Sequence, residues 1–372
     1  MGQFKMPPIS TLAGSTFINY LRVLKQGRIA PEYYIKVVLT LLIIIVSTPF
    51  HWWESILFKR RLSKFRFEKP PLFIIGHWRS GTTLLHNMLC ADPEAGYVTT
   101  YQSLFPNNLG SKWIFKTFMR INTPEKRPSD NVKLDVDFPQ EDEFAFGNVQ
   151  PNAYYNFFYF PNEYKTFYEK AVHHKNLTEK EKKRWFNEYG KLLKKALINS
   201  NGKRLVVKNP VNTARIKHIL KLCPDAKFLY IYRNPVTVYL STEKFFRNLL
   251  PVLLLQKVDP LFMEMLIFDV YKKLEADYVQ QKALIPEGNL YELKYEEFEK
   301  HPVKEIKRIY SELLHEDFDK AKEYFNKYFE SIKGYKKNSY KVNRELLEKI
   351  RAELGDYMKK YGYDIPDDIV VD

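Results

Sequence analysis

The chain has 372 residues, with 59 Lys and Arg against 44 Asp and Glu, so its formal net charge is +15. Apolar residues make up 45% and charged residues 28%, which excludes a wholly disordered, collagenous or coiled-coil chain. The positive balance points to an anionic partner: a nucleic acid, a membrane surface or a phosphorylated small molecule. Cys90 and Cys223 are too few for a disulfide framework or a metal spacing, so we expect buried free thiols.

More than half of the net charge lies in residues 1–70, where eleven Lys and Arg face three acids and leave +8. An apolar run over residues 37–50 lies in this region and is followed by Trp52 and Trp53. Its length falls short of the ~20 residues that a spanning helix needs, and Pro49 is expected to end or kink it. Three readings stay open: a helix packed on the protein's own pocket, a helix in a membrane interface, or a true span.

From residue 70 onward, short apolar runs alternate with helical patterns. The runs typical of buried strands cover residues 72–75, 205–207, 228–231 and 290–293. Helices are predicted over 82–89, after Thr178, which forms a capping box with Glu181, and from Asn212 to Cys223. This alternation predicts an α/β fold with a parallel sheet and right-handed crossovers. Residues 94–170 are read as an irregular, aromatic-rich insertion over the open end of the sheet, and residues 335–362 as a closing loop plus a helix.

A phosphate-binding loop is predicted directly after the first strand. Gly76 and Gly81 have the spacing of a P-loop between a strand and a helix, so that backbone N–H groups and the helix N-terminus face an anion. Thr82 stands where nucleotidases have lysine, which argues against an ATPase or kinase, and Arg79 places the positive charge inside the loop. The loop therefore suits a nucleotide with one 5′-phosphate and a second anionic group.

Two further motifs end predicted strands. Arg233 is followed eight residues later by Ser241, and an arginine fork with a hydroxyl is a compact site for a second phosphate. Lys208 directly follows another buried strand, at the edge where open α/β sheets bind ligands, and can stabilise a leaving phosphate oxygen. Together with the loop, these residues indicate a nucleotide phosphorylated at its 5′ and 3′ positions.

In this order, the three motifs resemble those of sulfotransferases that use 3′-phosphoadenosine 5′-phosphosulfate (PAPS). The resemblance covers residues 70–362 and implies a three-layer, P-loop-like fold with five parallel strands and no required metal. The sequence before it predicts an N-terminal helical extension. The resemblance also implies donor binding by the loop and its partners, namely Arg79, Ser80, Gly81, Thr82, Thr83, Arg233, Ser241 and Lys336. The variant loop and the acidic run at 139–144 resemble a bacterial branch related to the tyrosylprotein sulfotransferases. Some members of that branch act on sterols or other lipids.

The chain departs from the resembled families at the general base. Pro210 stands where cytosolic members have a catalytic histidine, and residues 99–102 lack the glutamate of the tyrosylprotein enzymes. The best candidates are Glu141 and Glu143, because they lie among Phe residues and apolar surroundings strengthen a carboxylate as a base. His86 is read as a core histidine, whereas His77, inside the loop, is a candidate contact to the sulfate or acceptor.

The predicted function is transfer of a sulfuryl group to a hydroxyl of an apolar acceptor, most simply a sterol or other lipid-like alcohol, with Glu141, Glu143, Lys208 and Arg79 as catalytic residues. The alternatives are a phenolic or peptide tyrosine acceptor, a P-loop kinase, and a non-catalytic membrane-surface protein. The predicted division is an extension over 1–69 and a sulfotransferase domain over 70–372. We expect a cytoplasmic protein with peripheral membrane contact through residues 25–66 and no nucleic-acid partner.

Overall fold

The structure is a computed structural model that describes residues 9–122, 135–333 and 340–371. The described strands, in chain order, are β1 (Leu72–Ile75), β2 (Ala95–Gly96), β3 (Arg204–Lys208), β4 (Lys227–Tyr232), β5 (Leu290–Lys294), β6 (Tyr340–Val342) and β7 (Ile369–Val371). The first five form the predicted five-stranded parallel sheet in the order β2-β3-β1-β4-β5, and β6 pairs with β7 in a separate sheet. Each predicted strand is therefore confirmed, whereas the short strands β2, β6 and β7 carry too weak a pattern to be found from sequence.

Fifteen α-helices are described: α1 (Phe17–Leu24), α2 (Tyr34–Lys64), α3 (Thr82–Leu89), α4 (Thr100–Leu104), α5 (Lys112–Asn122), α6 (Asp142–Val149), α7 (Tyr164–Ala171), α8 (Glu179–Ser200), α9 (Ile216–Leu222), α10 (Pro235–Leu253), α11 (Pro260–Gln281), α12 (Tyr295–Lys300), α13 (Pro302–Arg308), α14 (Lys322–Ile332) and α15 (Arg344–Tyr361). The 3-10 helices are Thr11–Gly14, Pro31–Tyr33, Tyr154–Phe158, Pro161–Glu163, Pro210–Ala214, Lys282–Leu284 and Phe318–Lys320, and one π-helix covers Ile309–Leu314.

The helix starts follow local chemistry. Thr178 accepts a hydrogen bond from the Glu181 amide while the Glu181 carboxylate accepts one from the Thr178 amide, so the predicted capping box is confirmed. The predicted irregularity of residues 94–170 is wrong, because α4, α5, α6 and α7 lie there. Aromatic residues are dense throughout this segment and obscure a helical period. Those of the 3-10 helix between α6 and α7, such as Tyr154, Tyr155 and Phe157, are all buried.

The chain divides into two compact units. The first contains the described residues of 1–70, 96–207 and 247–259, and the second contains those of 71–95, 208–246 and 260–372. The predicted boundary at residue 69, and the position of 94–170 over the sheet, stay predictions. Both cysteines are free thiols, as predicted, but only Cys223 is buried, since Cys90 is half-buried.

Within the first unit, α2 has an unusual distribution of side chains. It continues through Pro49, so the predicted end at this residue is wrong, while a kink there stays a prediction. The length argument against a span is wrong too. Residues 31–64 are long and apolar enough to cross a membrane by length and composition. The residues that α2 buries are nonetheless mostly polar: Thr40, Ser47, His51 and Glu54, with Ile44 and Phe58.

Each of these polar side chains has a partner inside the first unit. His51 Nε2 lies 3.1 Å from Asn108 Oδ1, and burial lowers the pKa of His51 to about 4, so the ring is neutral at pH 7. Lys195, on α8, forms a short ion pair with the buried Glu54 carboxylate, whose other oxygen accepts the Gly110 amide at 3.1 Å. These contacts attach α2 to the unit along its polar side.

This attachment predicts a selective loss of stability. Lys195→Met leaves the Glu54 carboxylate, with only 2% of its side chain exposed, without its cation, so the free energy of unfolding should fall by about 3 kcal/mol in urea titrations. Lys191→Met is the matched control on the same helix, since its pair with Glu188 is exposed, and it should change stability by less than about 0.5 kcal/mol. Equal losses in the two variants would contradict a special role for the Glu54 pair.

Candidate active site

The loop after β1 begins at a glycine that the fold requires. Gly76 has a φ of 138°, and a Cβ on it would lie 2.2 Å from the carbonyl oxygen of Ile231 on β4. Its amide donates a 2.7 Å hydrogen bond to the hydroxyl of Thr213, which is buried. The first turn of the loop is thus held between a neighbouring strand and a fixed hydroxyl.

The loop ends at a second required glycine. Gly81 has a φ of 94°, precedes the first residue of α3, and leaves room for the Tyr295 ring, which a Cβ would approach to 2.2 Å. Arg79 also has a left-handed backbone, with a φ of 68°. Left-handed residues that alternate with right-handed ones turn backbone N–H groups into a concavity, here next to the positive N-terminal end of α3. The local geometry is that of an anion-binding loop.

The two predicted phosphate motifs meet within the second unit. Arg79 Nε donates a 2.9 Å hydrogen bond to Ser241 Oγ, a buried hydroxyl on α10, and the Arg79 guanidinium lies 5.6 Å from the centre of the Phe245 ring. Arg233 Nη1 lies 3.4 Å from the Arg79 carbonyl oxygen. The structure therefore brings together Arg79, Arg233 and Ser241, which are as many as 162 residues apart in sequence.

Tyr295 links the loop to the second arginine. The Arg233 guanidinium lies 4.1 Å from the centre of the same ring that packs against Gly81. The Tyr295 hydroxyl donates a 2.6 Å hydrogen bond to Glu299, one turn further along α12. Burial raises the pKa of Tyr295, so the phenol stays neutral at physiological pH. The cation–π contact with the Tyr295 ring restrains the Arg233 side chain and leaves its charge unchanged.

The third cation also reaches the loop. Lys208 is the last residue of β3 and is buried, and its Nζ donates a 3.4 Å hydrogen bond to Thr83 Oγ1 in the first turn of α3. Arg79 and Thr83 are half-buried, so their polar atoms can reach a ligand. Arg79, Lys208 and Arg233 thus surround one loop in the second unit.

The two candidate carboxylates belong to the first unit and differ sharply in environment. Glu141 is half-buried at the start of α6, and its Oε2 accepts a 2.5 Å hydrogen bond from the Tyr155 hydroxyl. Glu143 is fully buried, and its Oε1 accepts the Tyr154 amide at 2.6 Å. Only Glu141 therefore combines a carboxylate with access from outside the core.

Both histidines near the loop are buried. His77 Nδ1 lies 2.8 Å from the Trp78 carbonyl oxygen, and burial lowers the pKa of His77 to about 4, which leaves the ring neutral at pH 7. His86 lies in α3 with 1% of its surface exposed, as a core histidine would. Lys336 lies outside the described residues.

Three residues of the site were missed by the sequence reasoning: Thr213, Phe245 and Tyr295. Thr213 and Phe245 carry no local signal, since a threonine or phenylalanine near a motif is common. Tyr295 could have been found, because it opens the helix after the predicted late strand at 290–293, and carboxyl ends of parallel strands meet at one edge of a sheet.

Comparison with known proteins decides the family. The sequence model of the sulfotransferase family matches residues 70–319. The chain belongs to the sulfotransferase family. It is 30% identical, over 94% of its length and 90% of theirs, to the omega-hydroxy-beta-dihydromenaquinone-9 sulfotransferases Stf3 of Mycobacterium bovis and Mycobacterium tuberculosis.

Solved structures show the same fold. The sulfotransferase STF9 from Mycobacterium avium gives a TM-score of 0.68 at 13% identity, with 95% of this chain and 98% of that chain covered. The sulfotransferase STF1 from Mycobacterium tuberculosis gives 0.64 at 14% identity, with 91% and 90% covered. The predicted enzyme class is confirmed, while the closer relation to tyrosylprotein enzymes stays a prediction.

The family implies PAPS as the donor, and the local geometry fits such a group. A donor with anionic groups at both ends of its ribose needs a loop of inward N–H groups and separate cations. Gly76 and Gly81 allow the backbone of the loop to approach the Ile231 carbonyl oxygen and the Tyr295 ring, where a Cβ would collide, and Lys208 and Arg233 lie next to the loop that carries Arg79.

The glycine geometry can be tested by stability. Gly81→Ala combines a left-handed φ with a Cβ 2.2 Å from the Tyr295 ring, so we expect a loss of about 2–4 kcal/mol in the free energy of unfolding. Gly355→Ala is the control, since no atom lies within 4 Å of its added Cβ in α15, and it should stabilise by about 0.5–1 kcal/mol. Chemical denaturation measures both, and an unchanged Gly81→Ala would show that the loop relaxes without cost.

Proposed function

We propose that this sulfotransferase transfers a sulfuryl group from PAPS to the hydroxyl of an apolar, lipid-like alcohol. The observation that carries the proposal is the joining of Arg79, Ser241 and Arg233 beside a glycine loop, which suits a donor with two anionic ends. The lipid-like acceptor is supported by the 30% identity, over 94% of the chain, to enzymes named for a hydroxylated menaquinone derivative. A sterol is one member of this acceptor class.

The residues of the second unit divide the work of binding. The inward amides of Ser80 to Thr83 and the Arg79 side chain hold the 5′ end, and Arg233 with Ser241 holds the 3′-phosphate. Lys336 is proposed as a further partner of the 3′-phosphate. PAPS, when bound, supplies the sulfuryl group and a leaving phosphate oxygen. Lys208 and Arg79 then stabilise the negative charge that builds on that oxygen, which lowers the barrier because the attraction is strongest in the transition state.

Glu141 is the general base that the local chemistry favours. It is half-buried and hydrogen-bonded to the Tyr155 hydroxyl, which orients the carboxylate. Glu143 accepts a backbone amide inside the core, which suits a structural role. In this scheme Glu141 would take the proton from the acceptor hydroxyl as that oxygen forms its bond to sulfur and the bond from sulfur to the leaving phosphate oxygen breaks.

The proposal includes a cytoplasmic location and peripheral contact with a membrane through residues 25–66. A lipid-like alcohol partitions into a bilayer, so an enzyme that uses it gains by working at the surface. The exposed apolar residues of α2 support such contact.

An acceptor panel tests the function. The purified chain is incubated with PAPS and hydroxylated isoprenoid lipids, sterols, simple phenols or tyrosine peptides, and sulfated products are detected by mass spectrometry. We expect products from the lipid alcohols, and thermal stabilisation by 3′,5′-diphosphoadenosine but not by ADP, with the difference reduced in Ser241→Ala. Products from tyrosine peptides alone would contradict a lipid-like acceptor and indicate a peptide acceptor. Equal increases in melting temperature with both nucleotides would contradict the proposed 3′-phosphate site.

The general base is tested by a matched pair of substitutions. Glu141→Gln should lower turnover by ~10²–10⁴ without changing donor affinity, since a carboxamide cannot take the proton. Glu143→Gln should mainly lower the free energy of unfolding, by about 1–3 kcal/mol, because it weakens a buried charge-assisted hydrogen bond. If Glu143→Gln instead abolishes turnover in a fully folded protein, the base is Glu143, and if neither does, no carboxylate of this pair is the base.

A further inference from the structure

Helix α2 of the first unit has the opposite arrangement to a normal surface helix, because its apolar residues face solvent and its polar residues face inward. Its outward side carries large apolar residues, among them Ile35 (70% exposed), Val46 (68%), Trp52 (71%) and Ile56 (74%). Its inward side carries the polar group already described. At roughly 100° per residue, the exposed apolar residues from Ile35 to Leu57 fall in an arc of about 140°, opposite the buried ones. We name this arc the apolar face of α2.

Two helices beside α2, namely α1 and α5, extend the exposed apolar surface. On α1, Phe17, Ile18 and Leu21 are 41%, 60% and 38% exposed, and the Tyr20 hydroxyl of that helix donates a 3.1 Å hydrogen bond to the Val37 carbonyl oxygen. On α5, Trp113 is 72% exposed. The α5 ring of Phe115 meets that of Phe50 edge-on, with centres 5.4 Å apart. Soluble proteins rarely expose contiguous apolar surface on this scale.

Charge at the end of the apolar face identifies its occupant. Lys59, Arg60, Arg61 and Lys64 form the last turns of α2, and all four are exposed. None of them makes an ion pair with a carboxylate in the part of the chain that the structure describes. Exposed Trp side chains followed by unpaired cations match the layers of an anionic bilayer surface, where indoles lie at the headgroups and ammonium or guanidinium groups meet phosphates.

The inward contacts decide how deeply α2 enters. His51 and Glu54 lie in the middle and second half of the helix and are bonded to Asn108 and Lys195 of the same unit. A membrane-crossing α2 would have to withdraw these polar groups from their partners into hydrocarbon, which is strongly unfavourable. A helix lying in the plane of the interface keeps every one of these contacts and buries only its apolar face.

We propose that α1, α2 and α5 form a monotopic docking surface for anionic phospholipid bilayers, with α2 lying in the interface and Lys59 to Lys64 among the headgroups. The proposal deepens the membrane contact of the proposed function and rests on that contact, but it does not depend on sulfuryl transfer. Binding to vesicles without donor or acceptor therefore tests it separately from the reaction.

The test is co-sedimentation of the full chain with vesicles of phosphatidylcholine alone or with a third phosphatidylglycerol. We expect binding mainly to the anionic vesicles and weaker binding at high salt. Trp52→Glu with Ile56→Glu should abolish binding, whereas Val279→Glu with Leu284→Glu, which changes two exposed apolar residues of the second unit, should leave it unchanged. Lys59→Gln, Arg60→Gln and Arg61→Gln together should weaken binding by about a hundredfold.

Three results would overturn the proposal. One is unchanged binding of the doubly substituted apolar-face variant, with its circular dichroism spectrum and melting temperature equal to those of the parent. Another is a dimer in light scattering that the same two substitutions dissociate, since a second copy would then cover the face. The last is resistance to alkaline carbonate extraction from cell membranes, which would indicate a true span. Release by carbonate, with a monomer in solution, is the expected result.

Discussion

The close approach of backbone and side chain around one loop governs the geometry of the proposed donor site. At Gly76 and Gly81 a Cβ would lie 2.2 Å from the Ile231 carbonyl oxygen and the Tyr295 ring, so the loop has almost no freedom to move outward. That restriction fixes where the amides point and where α3 begins. It also fixes the arginines, because Arg233 lies over the ring that touches Gly81 and close to the Arg79 carbonyl oxygen. In the proposed donor site, packing therefore sets the geometry on which the charges of the arginines act.

A second constraint acts in the first unit, where polar groups rather than apolar ones attach a long helix. Burial of His51 and Glu54 costs free energy unless each has a partner, and both do. A pairing of this kind is directional, so it specifies which side of α2 faces inward more strictly than hydrophobic contact would. Because these polar contacts orient α2, the apolar residues on its opposite side face solvent.

The sequence predicted those features that depend on short-range chemistry. The glycines at 76 and 81 predict a sharply turned loop, and Thr178 with Glu181 predicts a capping box. Each of these features depends on residues only a few positions apart. The strands at 72–75 and 228–231 were equally readable, because parallel strands are buried on both faces. The helices between 100 and 171 were missed because dense aromatic residues erase the 3.6-residue period.

Long-range features lay beyond the sequence. Nothing local separates Glu141 from Glu143, two residues apart, and only tertiary contacts place one at the edge and the other inside the core. The continuation of α2 past Pro49 is similar, since the helix is held by Asn108 and Lys195 from distant segments, and these contacts offset the hydrogen bond that proline removes. The predictable part of the site is its backbone, whereas the choice among like side chains is tertiary.

Two groups of cationic side chains in the chain differ in how strongly their neighbours restrain them. Arg79, Lys208 and Arg233 each contact a fixed neighbour, namely Ser241, Thr83 and Tyr295, so their charges are held before any ligand arrives. Preorganised charge suits a small anion of fixed shape, because no side-chain entropy remains to be lost on binding. The cations from Lys59 to Lys64 are exposed and retain their rotamer freedom. Mobile cationic side chains suit a fluid lipid surface, because the headgroups rearrange and the side chains must adjust to them.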